Sequence, residues 1–175
     1  MGANRRARRP APIYNVLFPV WMLVWIPSWL WLGLVPANYA IDTLVLRWGL
    51  RRHSPQHEGC LMSASWRVCW RGFVADFVGA ALILAAQLLL DGAQEGVGAD
   101  IAQALGMNPF ANAWALLVML LALAVSGLCV YALDRRLLTR AYGIERAQAH
   151  RIALLMAIAT APYLFLLPAE LLYRF

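Results

Sequence analysis

Lysine is absent from the 175-residue sequence: all fifteen basic side chains are arginine. That excludes a Walker-type phosphate loop, whose lysine reaches the terminal phosphates, and any Schiff-base or lysine general-base chemistry. Charge of either sign is scarce, at 14% of residues against roughly 25% in an ordinary soluble domain. The three cysteines, Cys60, Cys69 and Cys129, are too few for a disulfide framework and read as reduced thiols. No Cys-x-x-Cys pair, no convincing Ser/His/Asp order and no internal repeat occurs, so no reaction motif is legible and no cofactor is expected.

What fills the space is apolar. Hydrophobic residues make up 62% of the chain, eight of them tryptophan, with a mean hydropathy of +0.62. A surplus of that size needs a solvent other than water, and the bilayer is that solvent. Four apolar blocks stand out: Ile13–Leu46, Phe73–Leu90, Ala113–Leu133 and Ile152–Tyr173. The last three match the roughly 20 residues of a spanning helix. The first would make a helix of roughly 50 Å, far longer than the ~30 Å hydrocarbon layer, so it is expected to turn back. It is also too long and too rich in tryptophan for a cleaved signal segment.

Proline restricts the residue before it and suits the first position of a helix, which puts the turn at Leu34-Val35-Pro36. The fold expected is all-α: a polytopic transmembrane helix bundle of four long spanning helices plus one short or re-entrant helix. The helices are predicted over 13–34, 36–50, 67–90, 109–133 and 152–172. They form a single transmembrane domain, 13–175, after a basic cytoplasmic N-terminus, 1–12. Asn108-Pro109 reads as a cap and first residue of the fourth helix, Asp100 as the cap of a short turn over 101–105, and Pro162 and Pro168 as kinks in the fifth.

Charge then sets the orientation. On this topology the segments 1–12, 47–71 and 134–151 share one side and hold fourteen of the fifteen arginines. Only Arg174 falls on the other side, with the acidic loop of Asp91, Glu95 and Asp100. Cytoplasmic loops collect arginine, so the N-terminus is placed inside a bacterial inner membrane, multi-pass, its Arg5–Arg9 cluster against anionic headgroups. A net charge of +6 is thereby explained by the membrane, and no nucleic-acid partner is expected.

The blocks Asn15-Val16-Leu17-Phe18-Pro19-Val20-Trp21, Pro36-Ala37-Asn38-Tyr39-Ala40-Ile41-Asp42, Asn108-Pro109-Phe110 and Ala161-Pro162-Tyr163-Leu164-Phe165-Leu166-Leu167-Pro168 resemble those of a group of small bacterial polytopic integral membrane proteins with no known activity. The resemblance implies a membrane fold and a bacterial source.

Three sets of residues are able to carry chemistry. Asp42 is the only ionisable residue between Ile13 and Leu46, and Asn38 lies one turn earlier on the same face. The pair, with Asp76 and Gln87 of the third helix, is an intramembrane polar set able to hold a proton or cation, or to anchor helices by hydrogen bonds. His53, His57, Cys60 and Cys69 have the ligand types of a zinc site without its usual spacing; the alternative is a solvated loop. Trp21, Trp25 and Trp29, four apart, form a helical ridge that either packs on a neighbour or walls a quinone, isoprenoid or acyl chain. Alanines 153, 157 and 161 suit close helix contact. Together these predict a small subunit or accessory protein of a membrane complex, bound in the lipid bilayer to copies of itself or to other membrane subunits. The alternatives are a small transporter or channel centred on Asp42 and a membrane enzyme acting on a lipid. Enzyme activity is the less favoured reading.

Overall fold

The computed structural model describes residues 19–25, 29, 31–90 and 96–172. The basic segment 1–12, the first expected helical residues 13–18, Asp91, Glu95 and Arg174 lie outside the described residues. Those described are helical throughout, with no strand among them. After a 3-10 turn at Val20–Val24 come α1 (Trp31–His53), a 3-10 turn at Pro55–Cys60, α2 (Leu61–Leu90), α3 (Val97–Met107), a 3-10 turn at Pro109–Ala111, α4 (Ala113–Tyr142), α5 (Arg146–Ala159), a 3-10 turn at Tyr163–Leu166 and α6 (Ala169–Leu172).

The expected break at Leu34-Val35-Pro36 is corrected. α1 runs through Pro36 without interruption, and of the expected helix 13–34 the described residues are a 3-10 turn at 20–24, turn residues at 25 and 29, and 31–34 as the start of α1. Pro36 is the sixth residue of α1, so the bond it forfeits would have gone to the carbonyl of Leu32 in the exposed first turn. The far half of the helix buries Leu46, Gly49 and Leu50. Close packing of that half against its neighbours holds the helix in line past the proline.

Three helical stretches are long and apolar enough to cross a membrane: Pro55–Leu90, Ala113–Tyr142 and Arg146–Leu166. α1 is not among them. It has the length but carries Asp42 in its middle and Arg47, Arg51 and Arg52 toward its end.

α4 is the central helix, packed along α2 on one side and α5 on the other, with α1 laid against α2 and α5. Its start is fixed by Asn112, whose Oδ1 accepts from the N–H groups of Trp114 and Ala115 at 2.9 and 3.3 Å. The expected start of this helix at Asn108-Pro109 is corrected: Asn108 caps the preceding 3-10 turn through Phe110 N, and α4 begins four residues after Pro109. Its end is fixed by Gly143 at φ +66, after which the Ile144 N–H reaches back to the Leu138 carbonyl at 3.1 Å. Only a residue without a Cβ takes that left-handed position cheaply.

Close packing of α2 on α4 needs Gly79. A Cβ there would meet Phe165 Cε2 at 2.8 Å, the Ala122 carbonyl at 3.1 Å and Ser126 Cβ at 3.1 Å. Two apolar clusters flank this contact. One, around Leu46, Leu50, Val68, Leu138, Ile152 and Met156, joins α1, α2, α4 and α5. The other, around Trp21, Ile83, Leu105, Met119 and Phe165, closes the opposite end. Large apolar side chains also point outward, among them Leu44, Trp48, Trp66, Trp70, Leu117, Leu121, Leu128 and Ile158. A helical bundle with apolar residues on both its inner and outer faces fits an apolar solvent.

The turns α1/α2 and α4/α5 meet at one end, joined by the Ser54 hydroxyl donating to Gln148 Oε1 at 2.9 Å. Ten arginines, from Arg47 to Arg151, gather there. Asp100 lies at the other end, inside the first turns of α3, which begins at Val97 after Gly96; its expected role as the cap of a turn over 101–105 is corrected.

Candidate functional site

The buried faces of α1, α2 and α4 are apolar except along one file of polar side chains. Asp42, Ser65, Ser126 and Asp134 are between 0 and 2% exposed, Cys69 is equally buried, and Asp76 is half-buried. Register places them. Ser126 Oγ donates to Asp76 Oδ1 at 3.3 Å, fixing α4 against α2. The two helices run antiparallel. One turn of about 5.4 Å toward the arginine-rich end reaches Gly72 and Val130, and a second reaches Val68 and Asp134.

Asp42 enters from α1 between the two other carboxylates. A Cβ on Gly72 would stand 3.7 Å from Asp42 Oδ2, so the absence of a side chain there lets the carboxylate approach α2. The Cys69 thiol, one turn from Gly72, is within hydrogen-bonding reach of Asp42. Among the described residues the ion pair formed is Arg51 with Glu58 at 3.2 Å, at the surface; none joins an arginine to these acids.

The hydrogen-bond inventory is incomplete. Asp42 Oδ2, Ser65 Oγ and both carboxylate oxygens of Asp134 are buried with no partner. Buried polar atoms are nearly always paired, so these four atoms are exceptions. Three carboxyl groups lie within about two helical turns, in the order Asp76, Asp42, Asp134 toward the arginine-rich end.

The other sequence-derived candidates are placed as follows. Asn38 is half-buried one turn before Asp42, and Gln87 is half-buried near the far end of α2, its Oε1 without a partner. His53 closes α1; desolvation, then Arg151 and Arg52, hold its imidazole below the usual range. His57 Nδ1 lies 2.8 Å from Ser54 Oγ, which makes it part of the turn-to-turn link. Cys60 is half-buried in the same turn, whereas Cys69 faces Asp42 rather than the histidines. Among the described residues no group of three His, Cys, Asp or Glu side chains is arranged to hold a metal ion.

The tryptophans do not share one α-helical face, because residues 20–24 are a 3-10 turn. Trp21 is buried and its Nε1 donates to the Leu105 carbonyl at 3.2 Å; Trp25 and Trp29 are exposed, Trp25 edge-on to Phe77. Sequence reasoning missed Asp134, Ser65 and Ser126. Asp134 precedes Arg135-Arg136 and looks like the first residue of a charged loop. The signal present was Ala122, Ser126, Val130, Asp134, a stripe of period four on one face of α4.

Compared with known proteins, the chain matches no family model, no curated protein sequence and no solved structure.

Proposed function

We propose that this chain is a multi-pass protein of the bacterial inner membrane, a small subunit or accessory protein of a membrane complex, whose core carries a proton-binding carboxylate file. The observation that carries the reading is the sealed set Asp42 and Asp134, at most 2% exposed, with three carboxylate oxygens lacking a protein partner. Two open grooves of the described surface lie elsewhere, one beside α3 and one at the arginine-rich end. A sealed site suits coupling to a partner's movement better than open conduction. Exposed Trp66, Trp70 and Trp48 on α1 and α2 supply a broad aromatic face for such a partner, either a second copy or another membrane subunit.

A second reading, a small transporter centred on Asp42, is favoured by the unpartnered Oδ2 of Asp42. The third, lipid chemistry along a tryptophan wall, has less support, since Trp21, Trp25 and Trp29 do not line one surface.

In orientation, the arginine-rich end is cytoplasmic and the α3 end external. The four arginines of residues 1–12 belong to the inside by the same rule.

Native mass spectrometry of a gentle membrane extract tests the subunit reading. The 19.5 kDa chain is expected in a larger assembly. A stable, lipid-solvated monomer that still moves protons across a vesicle would overturn it in favour of the transporter.

A further inference from the structure

The cytoplasmic ends of α4 and α5 border an open groove of about 380 Å³, lined by Tyr131, Ala132, Arg135, Arg136, Thr139, Arg140 and Arg146. Four of these seven side chains are guanidinium groups and none is acidic. Two helices contribute them: Tyr131, Arg135 and Thr139 stand one turn apart along α4, with Arg136 and Arg140 beside them, and Arg146 opens α5. We propose that this groove is a binding site for the phosphate of an anionic phospholipid headgroup. The proposal rests on the membrane reading above and is independent of the carboxylate file.

Three features of the groove support phosphate over a generic solvated surface. First, one guanidinium is held in place. Arg135 Nη1 donates to the Tyr131 hydroxyl at 3.2 Å with its guanidinium carbon 5.9 Å from the ring centroid, and the Tyr131 oxygen lies 2.8 Å from His150 Nδ1. With its oxygen accepting from Arg135, Tyr131 is free to donate to His150, and the chain ties α4 to α5. A prefixed planar donor fork is what phosphate recognition exploits, and it reduces the entropy lost on binding. Second, the side chain of the N-cap residue Glu145 does not bond the first turn of α5, so the N–H groups there are left to a stronger anion beside Arg146 that displaces this carboxylate. Third, Thr139 Oγ1 already donates to the Arg135 and Arg136 carbonyls, at 2.8 and 3.3 Å, leaving its oxygen to accept. Threonine therefore shapes the floor, and the arginines supply the donors.

Depth in the membrane selects the source of the phosphate. α4 has 30 residues, about 45 Å, against a hydrocarbon layer of about 30 Å. Trp114 and Tyr131 bracket seventeen residues of it, about 26 Å, and aromatic residues of this kind mark the two membrane interfaces. Beyond Tyr131 the helix enters the headgroup layer, and that is where Arg135, Arg136 and Arg140 lie. The phosphate of a lipid is held at that level by the bilayer itself, whereas inorganic phosphate must be taken from water.

The test uses the full chain in nanodiscs of phosphatidylcholine alone and of phosphatidylcholine mixed equally with phosphatidylglycerol, with retained lipid counted by native mass spectrometry. Wild type is expected to retain phosphatidylglycerol over phosphatidylcholine. Arg136→Gln/Arg140→Gln should lower that preference about fivefold for each arginine removed. The charge-matched control Arg47→Gln/Arg52→Gln, on the same end but outside the groove, should keep it. Equal losses in both double variants, or no preference in wild type, would overturn the site. Displacement of the retained lipid by millimolar inorganic phosphate would overturn the lipid source and assign the groove to free phosphate. A chain that stays in water without lipid or detergent would instead overturn the membrane reading, and this proposal with it.

Discussion

Asp134→Ala should make the protein more stable, and the size of the gain follows from the structure. Asp134 is 1% exposed and neither carboxylate oxygen has a partner. Removing a buried, unsatisfied polar group recovers about 1–3 kcal/mol. Alanine in place of aspartate inside α4 adds up to about 0.7 kcal/mol of helix propensity. Against this stands a small void: the few tens of Å³ vacated cost about 0.5 kcal/mol at the ~24 cal/mol per Å³ found for cavities. The net is a stabilisation of about 1–3 kcal/mol. For a chain of this length that is a rise of about 2–4 °C in Tm per kcal/mol. Tryptophan fluorescence during thermal unfolding in one detergent measures it, with the wild type alongside. Asp42→Ala should gain less, because Asp42 has the Cys69 thiol as a partner. An Asp134→Ala protein less stable than wild type by 1 kcal/mol or more would refute the reasoning, since it would show that the carboxylate anchors the fold.

Gly79→Leu should destabilise by about 1–3 kcal/mol through overpacking, because its Cβ alone would stand 2.8 Å from Phe165 and 3.1 Å from the Ala122 backbone carbonyl; the same thermal assay checks it, and an unchanged Tm would place the α2–α4 contact elsewhere. Asn112→Ala should cost about 1 kcal/mol by uncapping α4, and Asn108→Ala less, because Asn108 serves one N–H of a three-residue turn. Equal losses would contradict the capping assignment. In intact cells, a cysteine introduced at Gly98 should react with an impermeant maleimide while Cys60 does not; labelling of Cys60 would reverse the proposed orientation.

How much of this was legible in the sequence depends on what each residue reports. Asp42 announces itself as a lone acid in an apolar run, whereas the cap of α4 is Asn112, four residues beyond the Asn108 to which the sequence pattern points. The all-helical class follows from the long apolar blocks. Pro36 misleads, because the rule that starts helices at proline knows nothing of Leu46 and Leu50, whose burial carries α1 through it. Cys69 invites pairing with His53 and His57 by proximity in sequence. The helix beginning at Leu61 carries it about 13 Å along the axis from Cys60 and turns it to Asp42. Asp134 is hidden by its neighbours Arg135 and Arg136. Its burial is decided by the rotation of α4 against α2, which the Ser126–Asp76 bond records and no local pattern states. The three tryptophans at spacing four fit a helix that the chain does not form at residues 20–24.

The central claim is that the acids on α1, α2 and α4 bind protons inside the bundle. Infrared spectroscopy of the protein in lipid at neutral pH reads it directly, through the carbonyl stretch of a protonated carboxylic acid and its shift in heavy water. The account predicts such a band in wild type, reduced in Asp42→Asn and again in Asp134→Asn, and unchanged in Asp100→Asn at the external end. A wild-type spectrum with no protonated-acid band that titrates or shifts would contradict it.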